Sequence, residues 1–219
     1  MFRIEGSGLM HGNTIDRSKL YLIEGPAQAV LTLEEVKTHL RVNSDVHDDD
    51  SLIDAITTAA EQDLDGADGY LGRCLVSQTW ELRLPGFLTE CIRVPLPPLL
   101  EVQSVKYYDA ANALQTLATT HYTVNGIGAR QAGSVELNYG YTWPDVYERS
   151  EAVLIRFRAG YVDTSASPDG SVPAPIKQAM LLTIGDLYEN REAQIVGTTI
   201  SRNQTAEALL SLYRVPFFA

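Results

Sequence analysis

The chain has 219 residues, of which 45% are apolar and 21% are charged, a composition typical of a soluble globular protein with ample material for a core. Its 17 basic and 28 acidic residues give a formal net charge of −11. Because DNA binding depends on clustered Lys and Arg that neutralise phosphates, this charge argues against a sequence-specific DNA-binding protein. It does not argue against a surface past which DNA slides without adhering.

Two cysteines, Cys74 and Cys91, are too few for a disulfide framework in a chain of this length, so we expect reduced core residues. The first twenty residues lack the apolar stretch of a signal peptide. No window approaches the ~18 uninterrupted apolar residues that span a membrane. The expected location is the cytoplasm, unless the protein is assembled into a larger particle.

Two helices are predicted near the N-terminus, after an extended arm (residues 1–30) with one short strand at 19–23. The first begins at Thr32, which forms a capping box with Glu35, and ends near Val42. The second begins at residues 48–50, where three aspartates suit a helix N-terminus, and stops at Gly72. Nine carboxylates and no Lys or Arg lie between residues 44 and 72, which predicts an acidic face. Its candidate residues are Asp54, Glu61, Asp63, Asp65 and Asp68.

Five or six short strands are predicted between residues 78 and 161. Trp80, Leu82 and Leu84 alternate on one face of the first strand, and the prolines at 95, 97 and 98 fit only an edge or a connector. A third helix follows, with Pro175 in its first turn. Its apolar stripe comprises Ile176, Ala179, Met180, Ile184, Leu187 and Tyr188. A last short helix, AEALLSLYRV, ends before Pro216.

The predicted fold class is α+β: a small helical bundle formed by both ends of the chain, with a β-rich insertion between the second and third helices. The bundle would comprise residues 31–74 and 172–213, and the inserted subdomain residues 75–162.

No catalytic, cofactor-binding or metal site is predicted. His47 and its neighbouring aspartates lack the ligand pattern of a calcium loop, and helix capping explains them better. Neither cysteine has a nucleophile motif with a histidine. Gly126-Ile127-Gly128 lies between strands, so it does not form a dinucleotide-binding turn. The residues indicate an assembly protein, not an enzyme.

Two clusters at chain and helix ends suggest assembly contacts. The first closes the third helix: Tyr188, Glu189, Asn190, Arg191 and Glu192. It is either a solvated helix end or a set of hydrogen-bonding groups at a subunit boundary. The second is Phe217-Phe218, which is either a frayed terminus or a pair buried by another chain.

Several segments together resemble a known family. They are LTLEEVKTHLRV, DDDSLIDAITTAAEQDLDGADGYLGRCLVSQTWELRL, IRVPLPPLLEVQSVKYYD, FRAGY and VPAPIKQAMLLTIGDLYENRE. Over residues 31–215 the chain is similar to the head–tail connector (adaptor) proteins of tailed bacteriophages and prophages, the gp6-like, phiE125 gp8-type group.

The resemblance implies a virion protein of the neck, made in the bacterial host. It would form a ring, expected to be dodecameric, that docks on the portal protein, extends the DNA channel and presents a platform to a stopper or tail protein. DNA would pass without specific binding, and no catalytic residue is implied. Tyr188 to Arg191 would lie in the motif helix that meets the neighbouring subunit. Residues 206–219 would form a docking segment for the portal, with these contact residues: Leu209, Leu210, Leu212, Tyr213, Arg214, Phe217 and Phe218.

Two alternatives remain open. A stopper or tail-completion protein would also be acidic and ring-forming, but we expect such proteins to be mostly β. A hydrolase or carbohydrate-binding protein is supported only by the β-rich middle of the chain.

Overall fold

The computed structural model describes residues 19–45, 47–87, 90–161, 171–190 and 203–215. Within these residues the chain forms four α-helices and two antiparallel β-sheets, so the mixed α and β class is confirmed. The helices are α1 (Leu33–Leu40), α2 (Asp50–Leu64), α3 (Ala174–Glu189) and α4 (Gln204–Ser211). The strands are β1 (Leu20–Glu24), β2 (Gln78–Leu84), β3 (Cys91–Val94), β4 (Leu99–Tyr108), β5 (Leu114–Thr116), β6 (Tyr122–Asn125), β7 (Gly133–Leu137) and β8 (Val153–Ala159).

The larger sheet has the strand order β1-β2-β8-β4-β5. Its centre is β8, where Val153, Ile155 and Phe157 are fully buried and the intervening residues are partly or fully exposed. Trp80 and Leu82 of β2 stand opposite Phe157 and Ile155. The predicted alternation is therefore present in β8, whereas Thr79 and Glu81 of β2 are buried as well. The face that carries Trp80, Leu82 and Phe157 lies in a hydrophobic core.

The smaller sheet has the order β3-β7-β6. Seven strands lie between residues 78 and 159 in the described part of the chain, compared with the five or six predicted. The strand that was not predicted is β5, which pairs with β4 at the edge of the larger sheet. The predicted edge segment before the prolines at 95, 97 and 98 forms β3, which lies at the edge of the smaller sheet, where proline-flanked strands are tolerated.

The helix starts follow the sequence signals. The Thr32 hydroxyl accepts a hydrogen bond from the Glu35 backbone at 3.2 Å, and the Glu35 carboxylate accepts one from the Thr32 backbone at 2.8 Å. Pro175 lies in the first turn of α3. Leu187, predicted in the buried stripe of α3, is instead 44% exposed, because it lines an open groove between α2, α3 and α4.

Two hydrophobic clusters divide the interior. Residues from all four helices share one cluster, including Val36, Ile53, Met180 and Leu210. Residues from both sheets form the other, of which Phe157 is the largest fully buried member. The division into a bundle and an inserted subdomain stays a prediction.

The second helix ends earlier than predicted, at Leu64 rather than at Gly72. Residues 65–73, which we call the α2 corner, turn back on the helix end instead. Gly66 has a φ of +77°, which glycine adopts at little cost, and its N–H donates to the Arg73 carbonyl at 2.9 Å. The Tyr70 N–H donates to the Asp63 carbonyl at 2.7 Å, so a helix carbonyl is satisfied without further helix.

Replacing Gly69 in this corner is expected to destabilise the protein. A Cβ on Gly69 would lie 2.3 Å from the Asp65 carbonyl oxygen and 2.5 Å from the Leu64 carbonyl carbon. Because backbone atoms must shift, Gly69→Ala should lower the free energy of unfolding by about 1–3 kcal/mol. Gly25→Ala is the control, since no atom lies within 4 Å of its added Cβ. Equal chemical denaturation midpoints for the two variants would contradict the packing of the corner.

Candidate subunit interfaces and charged surfaces

The polar cluster that closes α3 is partly used inside the subunit. The Tyr188 hydroxyl donates a 2.6 Å hydrogen bond to Asp49 Oδ2, at the first turn of α2. The Asn190 side-chain amide donates to the Asp186 carbonyl at 3.0 Å, while Glu189 is exposed. Arg191 and Glu192 lie outside the described residues. A subunit contact at this helix end stays a prediction, and Glu189 is the described member most available for it.

At the start of α2, Asp49 and Asp50 have partners other than the free N–H groups of the helix, which corrects the predicted helix capping for these two residues. The side chain of Asp49, the N-cap residue, makes no capping hydrogen bond. Asp50 Oδ1 pairs with Lys37 Nζ at 2.5 Å, and its other oxygen contacts His47 at 2.7 Å. These hydrogen bonds lower the pKa of Asp50. Lys37 is only 4% exposed, so the ion pair fixes α1 against the start of α2.

The predicted acidic face contains three exposed residues, Asp54, Asp63 and Asp68. Glu61 is half-buried, and its carboxylate accepts a hydrogen bond from the Val30 backbone. Burial raises the pKa of Glu61, because removal from water disfavours the charged form. Glu61 therefore ties the segment before α1 to α2.

Asp65 also points into the structure. Its carboxylate accepts hydrogen bonds from the Leu75 N–H at 2.6 Å and from the Gln78 side-chain amide. Burial raises its pKa, and these hydrogen bonds oppose that shift. The spacing of acids along the sequence could not distinguish Asp65 from its exposed neighbours, because its donors Leu75 and Gln78 lie after the corner, just before β2 and at its first residue.

The C-terminal segment is bound to its own subunit up to Val215. Leu210 and Tyr213 are buried in the helical cluster, and Leu209 packs against it. The Tyr213 carbonyl accepts a 2.6 Å hydrogen bond from Arg73 Nε, and the Val215 N–H donates to the Leu71 carbonyl at 2.9 Å. A docking role for Leu210 or Tyr213 would require these contacts to break.

Two residues of the predicted docking set remain at the surface. Leu212 is 81% exposed, and the exposed Arg214 guanidinium lies 4.7 Å from the centre of the Tyr70 ring. Phe217 and Phe218 lie outside the described residues. Portal docking by this segment therefore remains a prediction that rests on Leu212 and the residues after Val215.

Sequence reasoning missed a basic cavity, which we call the Arg pocket. Arg73, Arg93, Arg130 and Arg214 line it. The four arginines come from the α2 corner, β3, the loop between β6 and β7, and the segment after α4. No local pattern joins residues so far apart in sequence, so only the fold reveals them.

The described residues contain no group of three or more His, Cys, Asp or Glu side chains that could hold a metal ion. No helix among them is long and apolar enough to cross a membrane.

Comparison with known proteins identifies the family of this chain. Residues 30–150 match the family described as "Phage gp6-like head-tail connector protein". The chain belongs to this head–tail connector family. Its members are structural components of the virion neck, where head and tail meet. No match is found among curated proteins.

Solved structures with a similar fold come from gene transfer agent (GTA) particles. A chain from the neck of an empty GTA particle, computed with C6 symmetry, is 20% identical with a TM-score of 0.69; the match covers 91% of this chain and 97% of that one. A chain from the native GTA virion gives the same values. A chain from a native GTA neck with C12 symmetry is 19% identical with a TM-score of 0.58, covering 90% and 98%. The connector chain thus shares the fold of these neck proteins over nearly its whole length.

Removing the Tyr188 hydroxyl tests whether this residue acts inside the subunit. Tyr188→Phe deletes the 2.6 Å hydrogen bond to the Asp49 carboxylate. A hydrogen bond to a charged group contributes about 1.5–3 kcal/mol, so the isolated subunit should lose stability of that order. Tyr139→Phe is the control, because Tyr139 is fully exposed. Equal melting temperatures for the two variants would show that this hydrogen bond does not stabilise the subunit. Tyr188 would then again be a candidate surface contact residue.

Proposed function

We propose that the chain is the subunit of a ring, expected to be dodecameric, that docks on the portal, extends the DNA channel and carries the stopper or tail protein. The observation that carries this proposal is the family match over residues 30–150. Chains with the same fold occur in necks computed with C6 and C12 symmetry, which supports a ring. Docking on the portal, extension of the DNA channel and support of the stopper or tail protein are further parts of this proposal.

DNA would pass the ring without adhering to it. The net charge of −11 and the exposed Asp54, Asp63 and Asp68 support this role. Such charges repel phosphates over about one Debye length, ~8 Å at physiological salt. Only these three of the five acids predicted for the face contribute to it as exposed groups, since Glu61 and Asp65 are used inside the subunit.

The four helices favour a connector over a stopper, which we expect to be mostly β. The raised pKa of both cysteine thiols also agrees with a structural role. Burial raises the pKa of the Cys74 thiol well above its usual value, and the pKa of the exposed Cys91 is raised as well. Because the thiolate is the nucleophile, neither cysteine is suited to covalent catalysis.

The ring is tested in particles from a host in which the gene has been deleted and then restored. Without the chain, DNA-filled heads should accumulate without tails; with it, image averaging should show a ring between portal and tail. A tag on residue 1 locates the subunit in the image. Tailed, infectious particles in the deletion strain, or density for the tag outside the neck, would overturn the proposal.

Portal docking is tested with two variants of the C-terminal segment. Leu212→Ser combined with removal of residues 216–219 should leave the stability of the subunit within about 0.5 kcal/mol, because Leu212 is 81% exposed. The same variant should lose attachment to purified DNA-filled heads. Leu210→Ala, in the core, should instead cost about 2–5 kcal/mol of stability.

Co-sedimentation with heads measures attachment, and denaturant titration measures stability. Normal attachment of the Leu212 variant would contradict docking by this segment and would leave the ring proposal intact.

A further inference from the structure

The Arg pocket is a cavity of ≈ 400 Å³ at the C-terminal end of α2. Gln131, Ala132, Leu212 and Val215 complete its lining, so none of its eight lining residues is acidic. The chain as a whole has 28 acidic and only 17 basic residues. Four arginines from four segments, with no carboxylate among them, form a site of unusual positive charge for this protein.

Arg73 forms the buried floor of the pocket, with 3% exposure. Within the described residues its three hydrogen bonds go to neutral oxygens: the Tyr213 carbonyl at 2.6 Å, the Tyr161 hydroxyl at 2.9 Å and the Arg130 carbonyl at 3.4 Å. A guanidinium has five N–H donors, and Arg73 forms no ion pair with any described carboxylate.

The other buried cation, Lys37, shows the usual arrangement, because it is paired with Asp50 at 2.5 Å. Buried charges are normally paired in this way. The contrast indicates that Arg73 and the three exposed arginines at the rim accommodate an anionic group supplied from outside the described residues.

A matching set of acids lies at the opposite end of α2. Asp45 and Asp48 are exposed there, and neither forms an ion pair within the described residues. The Arg73 backbone pairs with Asp65, immediately after the last residue of the helix. A helix of 15 residues is about 22 Å long, so the two charged sites cannot meet within one subunit.

We infer that the Arg pocket receives carboxylates from the acidic N-terminal end of α2 in a second copy of this chain. Two different, complementary patches produce a head-to-tail contact, and such contacts close into rings. Arg–carboxylate pairs add charge-assisted, often bidentate hydrogen bonds. This inference rests on the proposed ring and identifies one contact within it.

A charge swap tests the contact. The pocket variant carries Arg93→Glu and Arg130→Glu, and the helix-end variant carries Asp45→Lys and Asp48→Lys; all four positions are exposed. Each variant alone places like charges across the contact, so the copies of this chain per purified particle should fall at least about tenfold. Both variants together can alternate around an even-numbered ring with opposite charges at every contact, and incorporation should recover.

The control, Arg149→Glu with Arg158→Glu, carries the same change of charge at exposed positions outside the pocket and should incorporate normally. Circular dichroism melts of the full chain verify that each variant folds. If the wild-type chain is present in particles, normal incorporation of the pocket variant would overturn the inference. Failure of the two variants together to recover incorporation would also overturn it. Absence of the wild-type chain from particles overturns the proposed function itself.

Fluorescence anisotropy with a 25-base-pair DNA duplex distinguishes phosphate from carboxylate. Wild-type binding to the duplex that the pocket variant loses would show that the pocket binds DNA, and would also overturn the inference. No such binding is expected at physiological salt, because the net charge of the chain is −11.

Discussion

The hydrogen bonds accepted by Asp65 join the two hydrophobic clusters of the subunit. Asp65 follows the last residue of α2, and its carboxylate binds the Leu75 N–H and the Gln78 amide. The Gln78 side-chain oxygen, Oε1, in turn accepts a hydrogen bond from the Trp80 indole N–H at 3.1 Å. Cys74 belongs to the sheet cluster and Leu75 to the helical cluster. A half-buried carboxylate costs solvation free energy, and this network offsets the cost while it fixes the angle at which the chain passes from helix to sheet.

The same corner also determines where the C-terminal segment lies. Arg73 holds the Tyr213 carbonyl with one nitrogen and the Tyr161 hydroxyl with another, so the end of β8 and the end of α4 meet at one guanidinium. Val215 is bound to the Leu71 carbonyl two residues earlier in the corner. A change in the corner would therefore move both the Arg pocket and the point from which residues 216–219 depart.

Sequence patterns predicted best the elements whose signals are local. The capping box of α1, the proline of α3 and the alternation of β8 each depend on residues within one turn or one strand, and each is present in the structure. The predicted end of α2 was wrong because Gly72 was chosen as the stop, although Gly66 precedes it and adopts a positive φ directly after the C-cap Asp65. The backbone pairing of Asp65 with Arg73, which belongs to the tertiary fold, holds the chain in this turn.

The roles of single polar residues were harder to predict for the same reason. Tyr188 and Asp49 are 139 positions apart, and the four arginines of the pocket come from four separate segments. A tyrosine or an acid that looks available in the sequence is available for assembly only if the subunit does not use it. The fold therefore determines which of these residues are available for assembly. Glu189 and Leu212 are exposed, whereas Asp65 and Tyr213 are bound inside the subunit.

The charged residues that remain exposed determine how the connector subunit can assemble. Inside the subunit the acid Asp50 is matched by Lys37, and Glu81 is matched by Arg83 and Arg156. Among the described residues, other acids such as Asp45, Asp54 and Asp68 are exposed, and such acids repel another copy unless a basic site meets them. Because like charges face each other in any contact between two acidic surfaces, a concentrated basic surface favours association of this chain with itself. The Arg pocket has the charge, the burial and the distance from the acidic end of α2 that such a contact requires.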